Sequence, residues 1–321
     1  MNLKTRLHIL GHVALKLAAL AGALGGLLLI TTIMLPPRAA QASSTTPVIA
    51  AGAYYTCALK GGQVYCWGAN GNGQLGDGTT TDRTTPTLVA DGAMGNSGVT
   101  AVAASGYHTC ALKGGQVYCW GDNYYGQLGD GTTTDRTTPT LVADGAMGNS
   151  GVTAIAGSYH TCALKGGKVY CWGWNGFGQL GDGTTTYYRT TPTLVADGAM
   201  GNRGVTAIAA GHGHTCALKG GQVYCWGWNG KGQLGDGTTT YYRTTPTLVA
   251  DGAMGNSGVT AVAAGYGHTL GLKDTTCLFA WGANDYGQLG DGTYTGRTTP
   301  VQVSGGWGIT PRVFIPIVYR P

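Results

Sequence analysis

Residues 56–68 read Thr56-Cys57-Ala58-Leu59-Lys60-Gly61-Gly62-Gln63-Val64-Tyr65-Cys66-Trp67-Gly68, and the chain repeats this stretch almost unchanged. The pair Gly61-Gly62 between two short apolar runs predicts a tight two-residue hairpin, because a type I′ turn needs positive φ at both central positions. With the turn centred there, Cys57 lies opposite Cys66 in a non-hydrogen-bonded pair, whose Cα atoms are roughly 4.5 Å apart. This separation is within reach of a disulfide.

Both faces of the predicted hairpin are apolar. One face carries the two cysteines with Leu59 and Val64, and the other carries Ala58, Tyr65 and Trp67. A sheet that is buried on both sides is a layer in a stack rather than one half of a sandwich. The stretch therefore predicts a fold in which several sheets pack face to face.

The tryptophan of this stretch recurs at spacings of 53, 52, 54 and 55 residues, at Trp67, Trp120, Trp172, Trp226 and Trp281. Five repeats of this kind, each with about four short strands and glycine-rich turns, predict an all-β fold, a β-propeller of five four-stranded blades. In each unit we expect an alanine-rich strand (99–104 in one copy), the two hairpin strands, and a Thr/Val strand near residues 86–89.

The composition limits the possible partners. Charged residues make up 10% of the chain, a proportion that with abundant Thr, Val and Ala favours a stacked β body over disorder. The net charge is +5, but Lys4, Arg6, Lys16 and Arg38 lie in the first 42 residues, which leaves 15 basic against 14 acidic residues. A body this close to neutral has no electrostatic footprint for nucleic acid, so we expect no nucleic-acid partner.

Residues 1–42 have the composition of an export signal. A basic start precedes an apolar run at 17–35, and Ala40-Gln41-Ala42 matches an A-x-A cleavage site. An uncleaved membrane anchor is the alternative, because the apolar run approaches the length of a membrane span, and this segment would then be the protein's sole contact with a membrane. We expect cleavage before Ser43 and, in either case, an extracytoplasmic protein that is secreted or held at the cell surface.

The remaining chain divides into a repeat body and a tail. The five repeats occupy residues 46–304 and form the predicted propeller. The tail at 305–321 breaks the repeat pattern, and Pro316 within its apolar run argues against a central strand. We interpret the tail as a flap over an exposed edge, with a retention or sorting signal as the alternative.

The cysteines come in pairs, one pair in each of the first four repeats: Cys57 and Cys66, Cys110 and Cys119, Cys162 and Cys171, Cys216 and Cys225. The fifth repeat has lost both members together, with Leu270 and Ala280 in their places. A zinc site is disfavoured, because each cross-strand pair supplies two ligands where zinc needs four. In an exported chain the pairs predict four disulfides, and Cys277 is left as a buried thiol.

Other polar residues recur in a pattern typical of structure. His108, His160, His214 and His268 occupy one repeat position, where the first copy has Tyr55, and we interpret them as structural histidines. The oxygen-bearing residues around Asp77 do not have the spacing of a calcium loop. The chain has no Glu and no nucleophile elbow or phosphate-binding loop, so we predict no catalytic residues, no metal site and no cofactor.

The repeat resembles a known family. The run HTCALKGGQVYCWG at 108–121, followed by GQLGDGT at 126–132, is similar to the regulator of chromosome condensation repeat. The resemblance implies a β-propeller, although members of that family usually have more blades than the five copies found here. It also implies a guanine-nucleotide exchange factor-like regulator of a GTPase, which is the alternative function for this chain.

The copies differ mainly in their loops, and there they favour aromatic residues. The variable positions follow the Trp-Gly pair and the threonine run of each repeat, and a third variable position precedes the hairpin. Aromatic side chains in loops are suited to contacts with proteins and carbohydrates, but they can equally pack between blades, and the sequence leaves both interpretations open. The candidate ligand-binding residues are Tyr124, Tyr125, Trp174, Phe177, Tyr187, Tyr188, Trp228, Tyr241, Tyr242 and Tyr286. The sequence thus predicts an exported, non-catalytic scaffold that binds a protein partner or a surface glycan.

Overall fold

The computed structural model describes residues 48–274 and 276–305. The chain divides into two units, Met1–Ala42 and Ser43–Pro321, and every described residue belongs to the second unit. The predicted leader at 1–42, the predicted cleavage site and nearly all of the predicted tail lie outside the described residues. Within the described ranges, no helix has the length and apolar character needed to cross a membrane.

The described part of the chain forms twenty strands in five four-stranded antiparallel sheets, which we call blades 1 to 5 in chain order. Blade 1 contains β1 (Val48–Ala51), β2 (Tyr55–Lys60), β3 (Gln63–Gly68) and β4 (Arg83–Leu88). Blade 2 contains β5 (Val99–Ala104), β6 (His108–Lys113), β7 (Gln116–Gly121) and β8 (Arg136–Leu141). Blade 3 contains β9 (Val152–Gly157), β10 (His160–Lys165), β11 (Lys168–Trp174) and β12 (Tyr188–Leu194).

The last two blades repeat this order. Blade 4 contains β13 (Val205–Ala210), β14 (His214–Lys219), β15 (Gln222–Trp228) and β16 (Tyr242–Leu248). Blade 5 contains β17 (Val259–Ala264), β18 (His268–Lys273), β19 (Cys277–Gly282) and β20 (Arg297–Gln302). The predicted all-β propeller of five four-stranded blades is therefore confirmed.

The hairpin between the second and third strands has the predicted register. Gly61 and Gly62 have φ values of 60° and 78°, and the turn they form places Cys57 opposite Cys66. The outer strand β4 begins at Arg83, earlier than the predicted 86–89, because Arg83 pairs with Gly68 ahead of a β-bulge. The alanine-rich first strands of neighbouring blades lie beside one another, so they are the inner strands of the propeller.

The predicted cysteine pairs form four disulfides, Cys57–Cys66, Cys110–Cys119, Cys162–Cys171 and Cys216–Cys225, each with a Cα–Cα distance of 4.1 Å. All eight cysteines are buried. Cys277 is a free thiol, as predicted, but it is half-buried rather than buried.

The core lies between the blades. We call the side of a blade that carries the two cysteine positions its cysteine face, and the side that carries the anchor tryptophan its tryptophan face. The cysteine face of blade 1, with Leu59 and Val64, packs on the tryptophan face of blade 2, with Tyr118 and Trp120. The same packing recurs at the next junctions, and the core tryptophans of blades 2 to 5 are fully buried. Burial of both faces is what the apolar hairpin predicts.

An asparagine in the loop after each outer strand fastens the hairpin to that strand. Asn149 accepts a hydrogen bond from Val117 N at 2.8 Å and donates to the carbonyls of Val117 and Val142 at 3.0 and 2.9 Å. Asn96, Asn202 and Asn256 make the same three bonds in blades 1, 3 and 4. Each asparagine therefore pairs one N–H and one C=O that the backbone leaves unpaired, and adds a second bond to a C=O that already accepts a backbone N–H.

Blades 1 and 5 differ from the blades between them. Among the described residues, no hydrogen bond joins blade 5 to blade 1. Ala58, Tyr65 and Trp67 on the tryptophan face of blade 1 are half-buried, whereas Tyr118 and Trp120 at the same positions of blade 2 are buried. The two ends of the blade series are thus open faces.

Candidate functional site

The loop that follows each third strand is held rigidly by an asparagine. In blade 1, Asn70 accepts a hydrogen bond from Leu75 N at 2.9 Å, and its amide donates to the carbonyls of Thr79 and Thr81 at 3.0 and 3.1 Å. Asn123, Asn175, Asn229 and Asn284 hold the other loops in the same way. The variable residues beside each asparagine are consequently displayed on a fixed frame.

An ion pair closes the same loop. Arg83 Nη2 lies 2.6 Å from Asp77 Oδ2, and Thr79 Oγ1 donates to Asp77 Oδ1 at 2.7 Å. Burial raises the pKa of Asp77, but the bonds from Thr79 and Arg83 outweigh it and hold the pKa below its usual value. The carboxylate that suggested calcium is therefore occupied by protein partners, and the described ranges contain no cluster of His, Cys and Asp that could hold a metal ion.

In blades 3 and 4 the third and fourth strands pair over a longer stretch than in the other blades. In blade 1, Asp82 Oδ1 accepts the hydrogen bond of Asn70 N, whereas in blade 3 the backbone carbonyl of Tyr187 accepts the bond of Asn175 N, both at 2.8 Å. The change extends the last strand pair and places Trp174 opposite Tyr188. Blade 4 has the same arrangement with Trp228 opposite Tyr242.

Two equivalent clusters of three rings lie at consecutive blade junctions. Tyr125 of blade 2 lies 6.0 Å from Trp174 and 5.6 Å from Tyr187 of blade 3, measured between ring centroids. At the next junction Phe177 lies 5.9 Å from Trp228 and 5.6 Å from Tyr241 of blade 4. The two clusters are joined through Trp174 and Phe177, whose centroids are 5.2 Å apart. We call the rings of both clusters and their neighbours the aromatic surface.

A second line of rings, from the loops before the hairpins, borders this surface. Tyr54 and Tyr107 are 6.5 Å apart, Tyr107 and Tyr159 are 6.3 Å apart, and Tyr159 lies 4.7 Å from His212. Tyr159 also contacts Trp174, which joins the two lines of rings. The sequence marks these positions as variable, but they are absent from the predicted site because their contact with the other loops depends on the packing of separate repeats.

Nine of the ten predicted residues come together in the aromatic surface. Tyr124, Tyr187 and Tyr241 are 70%, 55% and 57% exposed, and Tyr188 and Tyr242 are also exposed. The rings at the junctions, Tyr125, Trp174, Phe177 and Trp228, are half-buried. Tyr286 is separate: its side chain is 89% exposed and makes no ring contact within the described part of the chain.

The aromatic surface is close to electrically neutral. The hydrogen bond with Tyr187 and burial together raise the pKa of Tyr125 to about 12, and burial lowers the pKa of His212 to about 4. Both side chains are therefore uncharged at neutral pH. At the border with blade 5, Lys231 forms an exposed ion pair with Asp285 at 3.4 Å. The surface is suited to a neutral ligand that stacks on rings.

The repeated histidines connect blades. His108 Nε2 lies 2.8 Å from Thr161 Oγ1 of the next blade, and His160 and His214 make equivalent contacts. Burial lowers the pKa of each of these three histidines to about 3, so they are neutral. Their Nδ1 atoms have no hydrogen-bond partner among the described residues. These contacts give the histidines a structural position at the blade junctions.

The repeats match a family model described as the regulator of chromosome condensation (RCC1) repeat. The matched residues are 61–112, 114–164, 166–218, 220–272 and 277–310. The chain belongs to the RCC1 repeat family. Each of the first four matched units begins at a hairpin turn and ends in the second strand of the following blade, so the RCC1 sequence repeat is offset from the structural blade.

Relatives with RCC1-type sequences are larger proteins. The ultraviolet-B receptor UVR8 of Arabidopsis thaliana is 36% identical over 243 residues, which are 74% of this chain and 53% of that protein. The E3 ubiquitin-protein ligase HERC2 of Homo sapiens is 32% identical over 261 residues, 79% of this chain and 5% of the ligase. This chain therefore spans about half the length of the first relative and a small part of the second.

Solved RCC1 structures have the same fold. Yeast RCC1 (Prp20), in a complex with Kap60, superposes with a TM-score of 0.66 at 26% identity, over 79% of this chain and 63% of that chain. Human WBSCR16 superposes with a TM-score of 0.70 at 24% identity, over 80% of this chain and 66% of that chain. Both comparisons relate the five blades found here to part of a longer propeller chain.

Proposed function

We propose that this chain is an exported, non-catalytic RCC1-repeat propeller that binds a protein partner or a surface glycan through its aromatic surface. The observation that carries the proposal is the pair of equivalent three-ring clusters, Tyr125 with Trp174 and Tyr187, and Phe177 with Trp228 and Tyr241. Exposed apolar patches of this kind are unusual on a protein that has no partner.

The chemistry of the surface supports a binding role. Trp and Tyr offer large, stiff contact areas, and they are the residues most enriched among the energetic anchors of interfaces. The half-buried rings support the exposed ones: Tyr187 packs against Tyr125 and Tyr188 rather than standing alone. A surface organised in advance loses less side-chain entropy when the ligand binds.

The binding test uses paired substitutions at the two equivalent clusters. Tyr187→Ala with Tyr241→Ala removes two rings that are more than half exposed, and Trp174→Ala with Trp228→Ala removes a half-buried ring from each of the same clusters. We expect each pair to weaken binding at least about thirtyfold, the effect of losing about 2 kcal/mol of contact energy. The measurement is affinity for ligands of the wild-type protein identified on a glycan array and by crosslinking at the cell surface.

A matched control separates binding from folding. Tyr294→Ala removes a tyrosine that is 76% exposed in blade 5, outside the aromatic surface, and should leave both affinity and melting temperature unchanged. We expect the Tyr187/Tyr241 variant to melt like the wild type. Native affinity in both paired variants would place the ligand elsewhere, and capture of a small GTPase by those same variants would favour the alternative function.

Export is the second part of the proposal. It is supported by the four buried disulfides, which persist in oxidising compartments, and by the A-x-A site that ends at Ala42. We expect the exported protein to begin at Ser43, and mass spectrometry of material recovered outside the cytoplasm measures this directly. An intact amino terminus in the membrane fraction would instead identify residues 1–42 as an anchor.

A further inference from the structure

Neighbouring blades meet through one repeated set of contacts. At the junction of blades 1 and 2, Trp120 Nε1 donates to the carbonyl of Gln74 at 3.0 Å, and Thr109 Oγ1 donates to the same carbonyl at 2.8 Å. The indole of Trp120 lies against Gly76, where any side chain would collide with it. The backbone N–H of Gly78 donates to a carbonyl of blade 2 at 2.9 Å. Blade 1 thus supplies the acceptor carbonyl of Gln74 and the space beside Gly76. Blade 2 supplies the hydroxyl of Thr109 and the indole of Trp120.

The later junctions repeat this set, except that the indole N–H of Trp281 makes no hydrogen bond among the described residues. The threonine hydroxyl donates to the glutamine carbonyl at 2.8 Å in Thr161–Gln127, Thr215–Gln179 and Thr269–Gln233. The tryptophans lie against the corresponding glycines, in the pairs Trp172–Gly129, Trp226–Gly181 and Trp281–Gly235. From the second junction onward, a histidine of the preceding blade also contacts the threonine hydroxyl, as His108 contacts Thr161 at 2.8 Å.

Blade 1 carries the donor half of this contact without an acceptor. Thr56 and Trp67 are half-buried, whereas Thr109 and Trp120 at the same positions are fully buried. Within residues 48–274 and 276–305, no hydrogen bond engages the hydroxyl of Thr56 or the indole N–H of Trp67. Pro86 is also exposed, although the matching proline of every other blade is buried by a loop of the preceding blade. The tryptophan face of blade 1 therefore presents a hydroxyl and an indole without an acceptor among the described residues. We call this surface the knob.

Blade 5 carries the acceptor half without a donor. Gln288, Gly290 and Gly292 occupy the positions of Gln74, Gly76 and Gly78. A side chain built at Gly290 would approach Val303 of its own blade and no indole. The carbonyl of Gln288 and the N–H of Gly292 have no hydrogen-bond partner among the described residues.

The cysteine face of blade 5 is also partly uncovered, although Leu272 and Ala280 on it are buried. Leu270 and Leu278 are half-buried, whereas Cys162 and Val169, the matching residues of blade 3, are fully buried. His268 is half-buried, and no threonine faces it in the described part of the chain. This face therefore has the acceptor carbonyl and the space for an indole, but no donor among the described residues, and apolar side chains lie beside it. We call this surface the hole.

We propose that the cysteine face of blade 5 docks on the tryptophan face of blade 1 of a second copy of this chain, head to tail. In this interface Trp67 of one copy lies against Gly290 of the other, and the hydroxyl of Thr56 lies between the carbonyl of Gln288 and the ring of His268. The contacts are those that the chain already makes at its internal junctions. The arrangement is heterologous, because two different surfaces meet and each assembly keeps one open face at either end.

A second copy fits this face better than the other occupants do. The required partner is a hairpin with a threonine and a tryptophan at the positions of Thr56 and Trp67, and the tail at 306–321 contains no such hairpin sequence. The chain's own blade 1 makes no hydrogen bond with blade 5, although all four internal junctions are formed. Leu270 and Ala280 replace the disulfide on this face alone, so the docking junction differs from the internal ones at its centre.

The test is a complementation of two half-interfaces in the protein as an expression host exports it. Trp67→Ser removes the knob and leaves the hole, and Leu270→Asp places a charge in the hole and leaves the knob. We expect the wild type to show a sedimentation coefficient that rises with concentration up to about 100 µM. Each variant alone should stay monomeric, because each retains one competent face, and an equimolar mixture should form a dimer of one copy of each.

Controls keep the outcome decisive. Ser150→Ala, an exposed loop position of blade 2 on neither end face, should assemble like the wild type, and circular dichroism checks that each variant is folded. Thr56→Lys replaces Trp67→Ser if the latter does not fold. A wild type that stays monomeric, or a mixture of the two variants that stays monomeric, would overturn the proposal; monomeric wild type that assembles only after removal of residues 306–321 would identify the tail as the occupant. Since none of these substitutions lies in the aromatic surface, the result is independent of the ligand-binding test.

Discussion

Trp174 and Trp228 show how one substitution in a repeat depends on another. Each indole lies over the glycine two residues later, Gly176 or Gly230, where a side chain would crowd its ring nitrogen. Blade 2 has Asp122 at the position of the tryptophans, and there the third residue is a tyrosine. The tryptophan therefore requires the glycine, whereas blade 1 has Gly71 without a tryptophan. The indole N–H groups of Trp174 and Trp228 remain without a hydrogen-bond partner among the described residues.

The polar residues were harder to interpret from the sequence than the apolar ones. The hairpin pairs Cys57 with Cys66 across a short local turn, so its register follows from the glycine pair alone. Asn149 bonds Val117, which is 32 residues away, and His108 bonds Thr161 across 53 residues. In the sequence such residues are indistinguishable from ordinary turn residues, because their partners are defined by the packing of separate elements.

The loop that carries Asn149 is an element whose stability rests on one side chain. Asn149→Ala would leave the buried N–H of Val117 and the C=O of Val142 without partners, while the C=O of Val117 would keep its bond from Val142 N. We expect the free energy of unfolding to fall by about 2–4 kcal/mol, since each unsatisfied buried group costs about 1–3 kcal/mol and water can reach some of them. Urea unfolding of the purified protein measures the change.

The neighbouring residue supplies the control for this loop. Ser150 is exposed, and its side chain makes no hydrogen bond among the described residues, so Ser150→Ala should unfold like the wild type. Equal stability of the Asn149 and Ser150 variants would show that the loop detaches without cost, and that the blade is held by its disulfide and its neighbours instead.

At the level of strands, the sequence repeat predicted which strands exist and in what order, but it predicted the ends of the outer strands less well. The Ala-rich strand at Val99–Ala104 and the hairpin strands have the predicted bounds. The sequence shows the extra length of β12 and β16 as a Tyr-Tyr pair in place of a single residue. It does not show the consequence, which is that Trp174 pairs opposite Tyr188. The contact of this pair with Tyr125 depends on the neighbouring blade, so most of the site's residues could be predicted from the sequence but not their arrangement.

For the whole molecule, the repeat is a source of acid sensitivity, because the same histidine recurs in blades 2 to 5 and the same aspartate in all five blades. Burial lowers the pKa of His108, His160 and His214 from 6.5 to about 3. As the pH falls below 6.5, the unfolded chain takes up protons at these positions and the folded chain does not, so the free energy of unfolding decreases until the pH approaches 3. Three such groups give about 4 kcal/mol per pH unit in the middle of this range.

The carboxylates add to the effect at lower pH. Hydrogen bonds from Thr293, against burial, and from Arg297 lower the pKa of Asp291 to about 2, and Asp77 is lowered in the same direction. These groups stabilise the fold above the pKa of the unfolded chain, about 4, and this stabilisation is lost as the pH falls towards 2. The histidine effect should therefore appear first, between about pH 6.5 and pH 4.5, before the aspartates contribute.

Blade 1 suggests the variant that isolates the histidine contribution. Tyr55 occupies the histidine position there, and its hydroxyl lies 2.9 Å from Thr109 Oγ1 and donates to the carbonyl of His108. The ring of Tyr55 lies against Gly52, where any side chain would collide with it. Blade 4 also has a glycine at that place, Gly211, whereas blades 2 and 3 have Ser105 and Ser158, so a phenol can replace the imidazole of His214. We expect His214→Tyr to reduce the dependence of unfolding free energy on pH by about 1.4 kcal/mol per pH unit between about pH 6.5 and pH 4.5, because a phenol binds no proton there. Urea unfolding at several pH values measures the slope. An unchanged slope in a folded variant would mean that His214 takes up a proton in the native propeller, and that its blade junction opens at acidic pH without unfolding the blades.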